Sequence, residues 1–146
     1  MTSILFLCVA NAARSQMAEG LARQILGPGV RVESAGSRPG AVSPYAIAVL
    51  AELGIDIERH RAKGLDTVSG QSFDIVVTLC AEAECPALPG GVRRLHWPIE
   101  DPAGYSPNTP QEAVLARFRR ARDAIGARLA GLAVELGLSR VNSGET

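Results

Sequence analysis

The sequence predicts a single α/β domain: a four-stranded parallel sheet flanked by helices on both faces. Three observations point there. Short apolar, β-branched runs alternate with segments of helical periodicity along the chain. The 146 residues suffice for one sizeable core without crosslinks. No internal repeat, low-complexity stretch or linker divides them. Parallel strands joined by helices take right-handed crossovers. The domain is expected over 1–138, with 139–146 a polar C-terminal tail.

The elements follow in order. Residues 3–8 are apolar and strand-like, and 15–26 place Met17, Ala18, Leu21 and Ile25 on one helical face before Gly27-Pro28 ends the helix. Val30-Arg-Val-Glu-Ser34 alternates as a second strand, and Ser43-Pro44 supplies the cap and first-turn residues of a helix reaching about Leu53. Phe73-Asp-Ile-Val-Val-Thr-Leu79 is a third strand ending at Cys80, and Arg93 to Ile99 a fourth ending before Asp101-Pro102. His96 and Trp97 are expected in or beside the core. Thr109-Pro-Gln-Glu112 reads as a capping box with proline at the first helical position. Val114, Leu115, Phe118, Ala121, Ile125, Leu129, Leu132 and Leu136 then form an apolar stripe running to Gly137. The arginines of that helix are expected mostly to face solvent.

Composition narrows the function. Lysine plus arginine and aspartate plus glutamate balance at 15 each, with no basic cluster, so no nucleic-acid footprint is expected. No apolar run approaches the ~18 residues that span a bilayer, and no basic region precedes the first one. A cytoplasmic monomer without membrane attachment is expected. Three cysteines, Cys8, Cys80 and Cys85, make a poor disulfide framework in a chain of this size but suit reactive thiols in a reducing compartment. No metal site is expected, because the ligands are too few and neither His60 nor His96 has zinc-finger spacing.

Ligands of open parallel sheets bind beyond the carboxyl ends of the strands. Cys8, Ser34, Cys80 and Asp101 each lie at or just past such an end, so all four should face one edge. The densest chemistry is in Cys8-Val-Ala-Asn-Ala-Ala-Arg14-Ser15. Thiols are nucleophilic as thiolates, and free cysteine is mostly protonated at neutral pH, so something must stabilise the anion. The loop formed by Val9, Ala10, Asn11, Ala12 and Ala13 is short enough to wrap, with amides pointing inward as a nest and the next helix adding its positive end. Arg14 can fork onto two oxygens of a tetrahedral oxyanion, and Ser15 can donate its hydroxyl to the thiolate. The loop lacks glycine, so Asn11 is expected to adopt the left-handed conformation it needs. A merely packed Cys8 is the alternative. Asp101 is either a catalytic acid or the start of an Asp-Pro turn.

The fold pattern and Cys8 to Ser15 resemble the low-molecular-weight tyrosine phosphatase superfamily. Asn11-Ala-Ala-Arg-Ser-Gln-Met-Ala-Glu-Gly20, Glu33-Ser-Ala-Gly36, Val77-Thr-Leu-Cys80, Cys85-Pro86, His96-Trp97 and Asp101-Pro102-Ala103 resemble its thioredoxin-coupled arsenate reductase branch more closely. That resemblance implies that Cys8 attacks arsenate in the loop, that Asp101 protonates the leaving oxygen, and that Cys80 attacks Cys8 to release arsenite. Cys85 would then resolve the disulfide, and thioredoxin would reduce the Cys80–Cys85 bond. No bound cofactor is implied, since the reducing equivalents come from a thiol partner. Chemistry agrees: hydrolysis needs only Cys8, Arg14 and Asp101, whereas two-electron reduction of an oxyanion needs further thiols.

Three departures from the family stand out. Four residues separate Cys80 from Cys85, fewer than is usual, which leaves glutathione with glutaredoxin, or mycothiol, as the alternative reductant. Residues five apart on a helix have Cα atoms ~8.5 Å apart, beyond the ~7 Å that a disulfide spans, so a helical segment there would have to loop out on oxidation. Ala12 stands where relatives usually carry serine. Many relatives hold potassium behind the loop through residues matching Asn11, Glu19, Ser34 and an aspartate. Lys63 falls at that aspartate's place and could replace the ion by pairing with Glu19. Competing readings are a low-molecular-weight tyrosine phosphatase, a phosphocarrier and an oxyanion sensor. Buried, unreactive thiols are the alternatives for Cys80 and Cys85.

Overall fold

The computed structural model describes residues 2–80 and 93–138. Four strands, β1 (Thr2–Cys8), β2 (Val30–Gly36), β3 (Ile75–Cys80) and β4 (Arg93–Ile99), form one parallel sheet in the order β2-β1-β3-β4. The α-helices are α1 (Arg14–Leu26), α2 (Pro44–Ala51) and α3 (Gln111–Glu135), and a single 3₁₀ turn covers Leu65–Thr67. The expected tail and Cys85 lie outside the described residues.

β1 is central and buried on both faces, which is why Ile4, Leu5, Phe6 and Leu7 read as a continuous apolar run rather than an alternation. Ile4 and Phe6 face the large core shared with Met17, Leu21, Val49, Phe118 and Ile125, so the three α-helices pack together on that side. Leu5 and Leu7 face the smaller cluster of Val68, Phe73 and Val76 beside the 3₁₀ turn. Trp97 joins the large core with its ring 6.4 Å from Phe6. His96, next to it, points to the other face by strand alternation, is exposed, and meets Thr78 Oγ1 at 2.7 Å.

Two glycines permit close approaches. A Cβ on Gly20 would lie 2.8 Å from both Ile57 and Leu50 side chains, so α1 reaches its neighbours only without one. At Gly36 it would stand 2.5 Å from Val9 O and 2.7 Å from Asn11 N, inside the backbone of the loop after β1.

Some expectations are corrected. Ala35 and Gly36 continue the pairing with Leu7 and Cys8, so β2 runs past Ser34, which lies inside the strand rather than at its end. The α3 capping box does not form: Pro110 is itself the cap, with extended ψ of 145° and no side-chain cap bond. Its carbonyl accepts from Val114 N at 3.1 Å, which starts the helix one residue later, while Thr109 turns to Ser106. Two α3 arginines face inward. Arg122 is buried and donates to Val49 O and Glu52 Oε1, and Arg117 reaches the loop after β4.

Candidate active site

The loop between β1 and α1 is held from outside. Backbone N–H groups of Arg38, Gly40 and Ser43 donate to the carbonyls of Val9, Ala10 and Ala12 at 2.8, 3.0 and 2.9 Å. Gln16 Nε2 donates to Asn11 O at 3.2 Å. A planar trans peptide sets each C=O opposite the next N–H. Carbonyls drawn outward therefore turn the amides of residues 10–13 toward the concave side, as an anion-binding bowl requires. Ala13 gives α1 no side-chain cap, which leaves the positive end of the helix to that bowl. Asn11 has φ of 51°, the one non-glycine positive value among the described residues. Gly36 lies against the loop backbone, so the bowl needs both residues.

A chain of hydrogen bonds ends at the Cys8 sulfur. The backbone N–H of Lys63 can only donate, and it lies 2.7 Å from Asn11 Oδ1, which fixes the orientation of that amide. Asn11 Nδ2 then donates to Ser15 Oγ at 2.7 Å. Ser15 Oγ in turn lies 2.9 Å from Cys8 Sγ, close enough for its hydroxyl proton to reach the sulfur. The chain extends backward in the same sense. Gln16 Nε2 donates to Asn11 Oδ1 and to Arg61 O, both at 2.9 Å, so Gln16 Oε1 accepts from His60 Nδ1, also at 2.9 Å. Burial pulls His60 below the ordinary imidazole range; Glu19 opposes this, while Arg23 and Lys63 reinforce it. His60 thus stays neutral near pH 7 with its proton on Nδ1, and Nε2 faces Arg23 Nη1 at 3.4 Å.

Behind the bowl lies Glu19, 3% exposed. A buried carboxylate needs partners, and it has three. Ser34 Oγ donates to Oε1, Lys63 Nζ lies 3.3 Å from the same oxygen, and Arg23 Nη1 lies 2.7 Å from Oε2. The arrangement does not fit a potassium ion among Asn11, Glu19 and Ser34: an ammonium already meets Glu19, and Asn11 Oδ1 accepts two N–H groups.

At the mouth, Arg14 is buried, donates from Nη1 to Ile99 O at 3.0 Å, and brings Nη2 to 3.9 Å from Asp101 Oδ2. Asp101, its side chain 45% exposed, also accepts from Ala103 N at 3.0 Å, so the Asp-Pro turn and a carboxyl beside Arg14 coexist. Cys8 and Cys80 are buried cysteines ending adjacent strands. Leu79 packs among the helices, so strand alternation starts Cys80 from the opposite face to Cys8. Among the described residues no cluster of three His, Cys, Asp or Glu could hold a metal, and no helix is long and apolar enough to cross a membrane.

Sequence reasoning missed Gln16, His60 and the backbone of 38–43. Gln16 had a signal, a polar side chain inside a segment whose other residues are buried. His60 and the 38–43 segment lie in irregular chain, where no periodicity points to their partners.

Comparison with known proteins agrees with this geometry. The sequence matches the low molecular weight phosphotyrosine protein phosphatase family over residues 3–142. Arsenate reductase 2 of Staphylococcus saprophyticus is 41% identical over 129 residues, spanning 87% of this chain and 92% of that protein. The crystal structure of an arsenate reductase from Archaeoglobus fulgidus has a TM-score of 0.74 at 32% identity, covering 88% of this chain and 97% of that one. A thioredoxin-dependent arsenate reductase from Corynebacterium glutamicum has a TM-score of 0.70 at 30% identity, covering 95% of this chain and 63% of that one. The chain therefore belongs to the low molecular weight phosphotyrosine protein phosphatase family, and within it to the arsenate reductases.

Proposed function

We propose that the protein reduces arsenate to arsenite, with Cys8 as nucleophile and Cys80 and Cys85 as the thiols that supply and pass on the electrons. Arsenate oxygens sit on the amides of the loop, forked by Arg14. Cys8 Sγ attacks arsenic, an As–O bond breaks, and the departing oxygen takes the Asp101 proton to leave as water. The Cys80 thiolate then attacks Cys8 Sγ. An S–S bond forms, the S–As bond breaks, and its electron pair stays on arsenic, which leaves as arsenite. Cys85 attacks Cys80 and frees Cys8, and thioredoxin reduces the Cys80–Cys85 disulfide. Lys63 serves as a built-in cation behind the loop, balancing Glu19 where relatives bind an ion.

One observation carries the reading beyond a phosphatase: a second buried cysteine, Cys80, ends the strand beside the one that ends in Cys8. Hydrolysis has no use for it. Arsenate-dependent NADPH oxidation with thioredoxin and thioredoxin reductase tests reaction and partner together, and turnover is expected there. Turnover only with glutaredoxin and glutathione, or with mycothiol, would reassign the reductant. Hydrolysis of phosphotyrosine with no arsenate-dependent oxidation under any reductant would make the protein a phosphatase.

A further inference from the structure

Asp101 sits on a segment, residues 100–110, with no helix or strand of its own. Its internal backbone bonds are few and local: Gly104 N to Asp101 O, Tyr105 N to Ala103 O and Thr109 N to Ser106 O. Tyr105 packs against the core, edge-on to Tyr45, but packing is incomplete nearer Asp101. A cavity of about 260 Å³ lies between it and α3, lined by Ile99, Asp101, Pro102, Arg117, Ala121 and others. From α3 the Arg117 guanidinium reaches across to the segment. Arg117 Nε donates to Pro102 O at 3.1 Å, and Nη2 donates to Asp101 O at 3.1 Å and Gly104 O at 3.2 Å. Its neighbour Phe118 is anchored in the core, so the base of this fork is rigid. The carboxyl itself accepts from Ala103 N at 3.0 Å, a bond within the same segment, and has Arg14 Nη2 3.9 Å away on the other side.

We propose that Arg117 is the positioning residue of the proton donor: by gathering three carbonyls of the acid loop in one plane, it sets where the Asp101 carboxyl stands over the Cys8 loop. The inference rests on Asp101 acting as the acid. A planar fork with several fixed donors does this, whereas a lysine ammonium is a point donor on a flexible stem. Arg117 touches backbone only, so arsenate binding by the loop and Arg14 is left intact. The proton transfer is what suffers, because ångström-scale misplacement of a catalytic group can cost about 100-fold.

The test is a double-mutant cycle on the single-turnover rate of arsenite release at saturating arsenate, using the reduced protein. Asp101→Asn is expected to slow release by roughly 100-fold or more, the range of general acid catalysis. Arg117→Ala is expected to slow it roughly tenfold or more with the apparent arsenate affinity within about threefold, since misplacement forfeits part of the acid's contribution. Arg117→Ala added to Asp101→Asn should cost nothing further, since Arg117 acts only through the acid. Guanidinium ion at millimolar concentration should partly restore Arg117→Ala and leave the double variant unchanged. An unchanged rate in Arg117→Ala, or losses that multiply in the double variant, would overturn the positioning role while leaving the acid in place. An unchanged rate in Asp101→Asn would overturn the acid assignment and the inference with it. Should Arg117→Ala not fold, Arg117→Lys enters the same cycle, with partial loss expected alone and none on Asp101→Asn.

Discussion

Asn11 combines two properties that few residues share. Its backbone takes the left-handed turn, and its amide joins Lys63 and Gln16 on one side to Ser15 on the other. Substitution separates them. Alanine at positive φ costs ~1–2 kcal/mol, and a buried N–H left without its acceptor costs ~1–3 kcal/mol. Asn11→Ala should therefore destabilise by about 2–5 kcal/mol in urea unfolding, and Asn11→Gly by about 1 kcal/mol less, since glycine removes the strain but not the unpaired donors. Equal stability of the two variants would refute strain at residue 11. Asparagine could be picked out in the sequence because a tight loop without glycine needs some residue that tolerates this conformation. Gln16 and His60 could not, since His60 reaches it through Gln16 from irregular chain 44 residues beyond that glutamine.

The helices were legible by period, and their polar contacts were not. An apolar stripe predicts which face of α3 is buried, and Val114, Phe118, Ile125 and Leu129 are indeed in the core. It is silent about arginines flanking that stripe, which is where Arg117 and Arg122 turn inward. The capping box failed for a local reason, the extended ψ of Pro110. Between α2 and α3, Arg119 and Arg122 converge on Glu52. Their hydrogen bonds, Arg119 first, hold its carboxyl down from 4.5 to about 2. A carboxyl depressed in the folded state stabilises fully above its unfolded value, and that contribution fades as pH falls from about 4.5 toward 2. Glu52→Gln should accordingly lower Tm at pH 7, and the gap to the unsubstituted protein should narrow on acidification and with added salt. A gap independent of pH between 7 and 2.5 would contradict the ion-pair role.

At the scale of the molecule, the parallel sheet explains how distant residues meet. Cys8, Cys80 and Asp101 could be assigned to one edge of the sheet because each lies at or just past the carboxyl end of a strand, and the order β2-β1-β3-β4 puts β1, β3 and β4 side by side. Ser34 was misplaced because β2 continues through two small residues that the alternating pattern does not mark. The same topology sets the task of the relay: Cys80 starts from the opposite face of its strand and must reach Cys8 around the sheet end. Electron accounting tests this most directly. Each arsenate takes two electrons, so the reduced protein alone, without thioredoxin, should release one arsenite per chain and lose two of its three thiols. Cys85→Ser should still release one and stop with Cys8 and Cys80 joined, whereas Cys80→Ser should release essentially none. Stoichiometric arsenite from Cys80→Ser, with Cys8 bonded to Cys85 or to no protein thiol, would contradict the relay through Cys80.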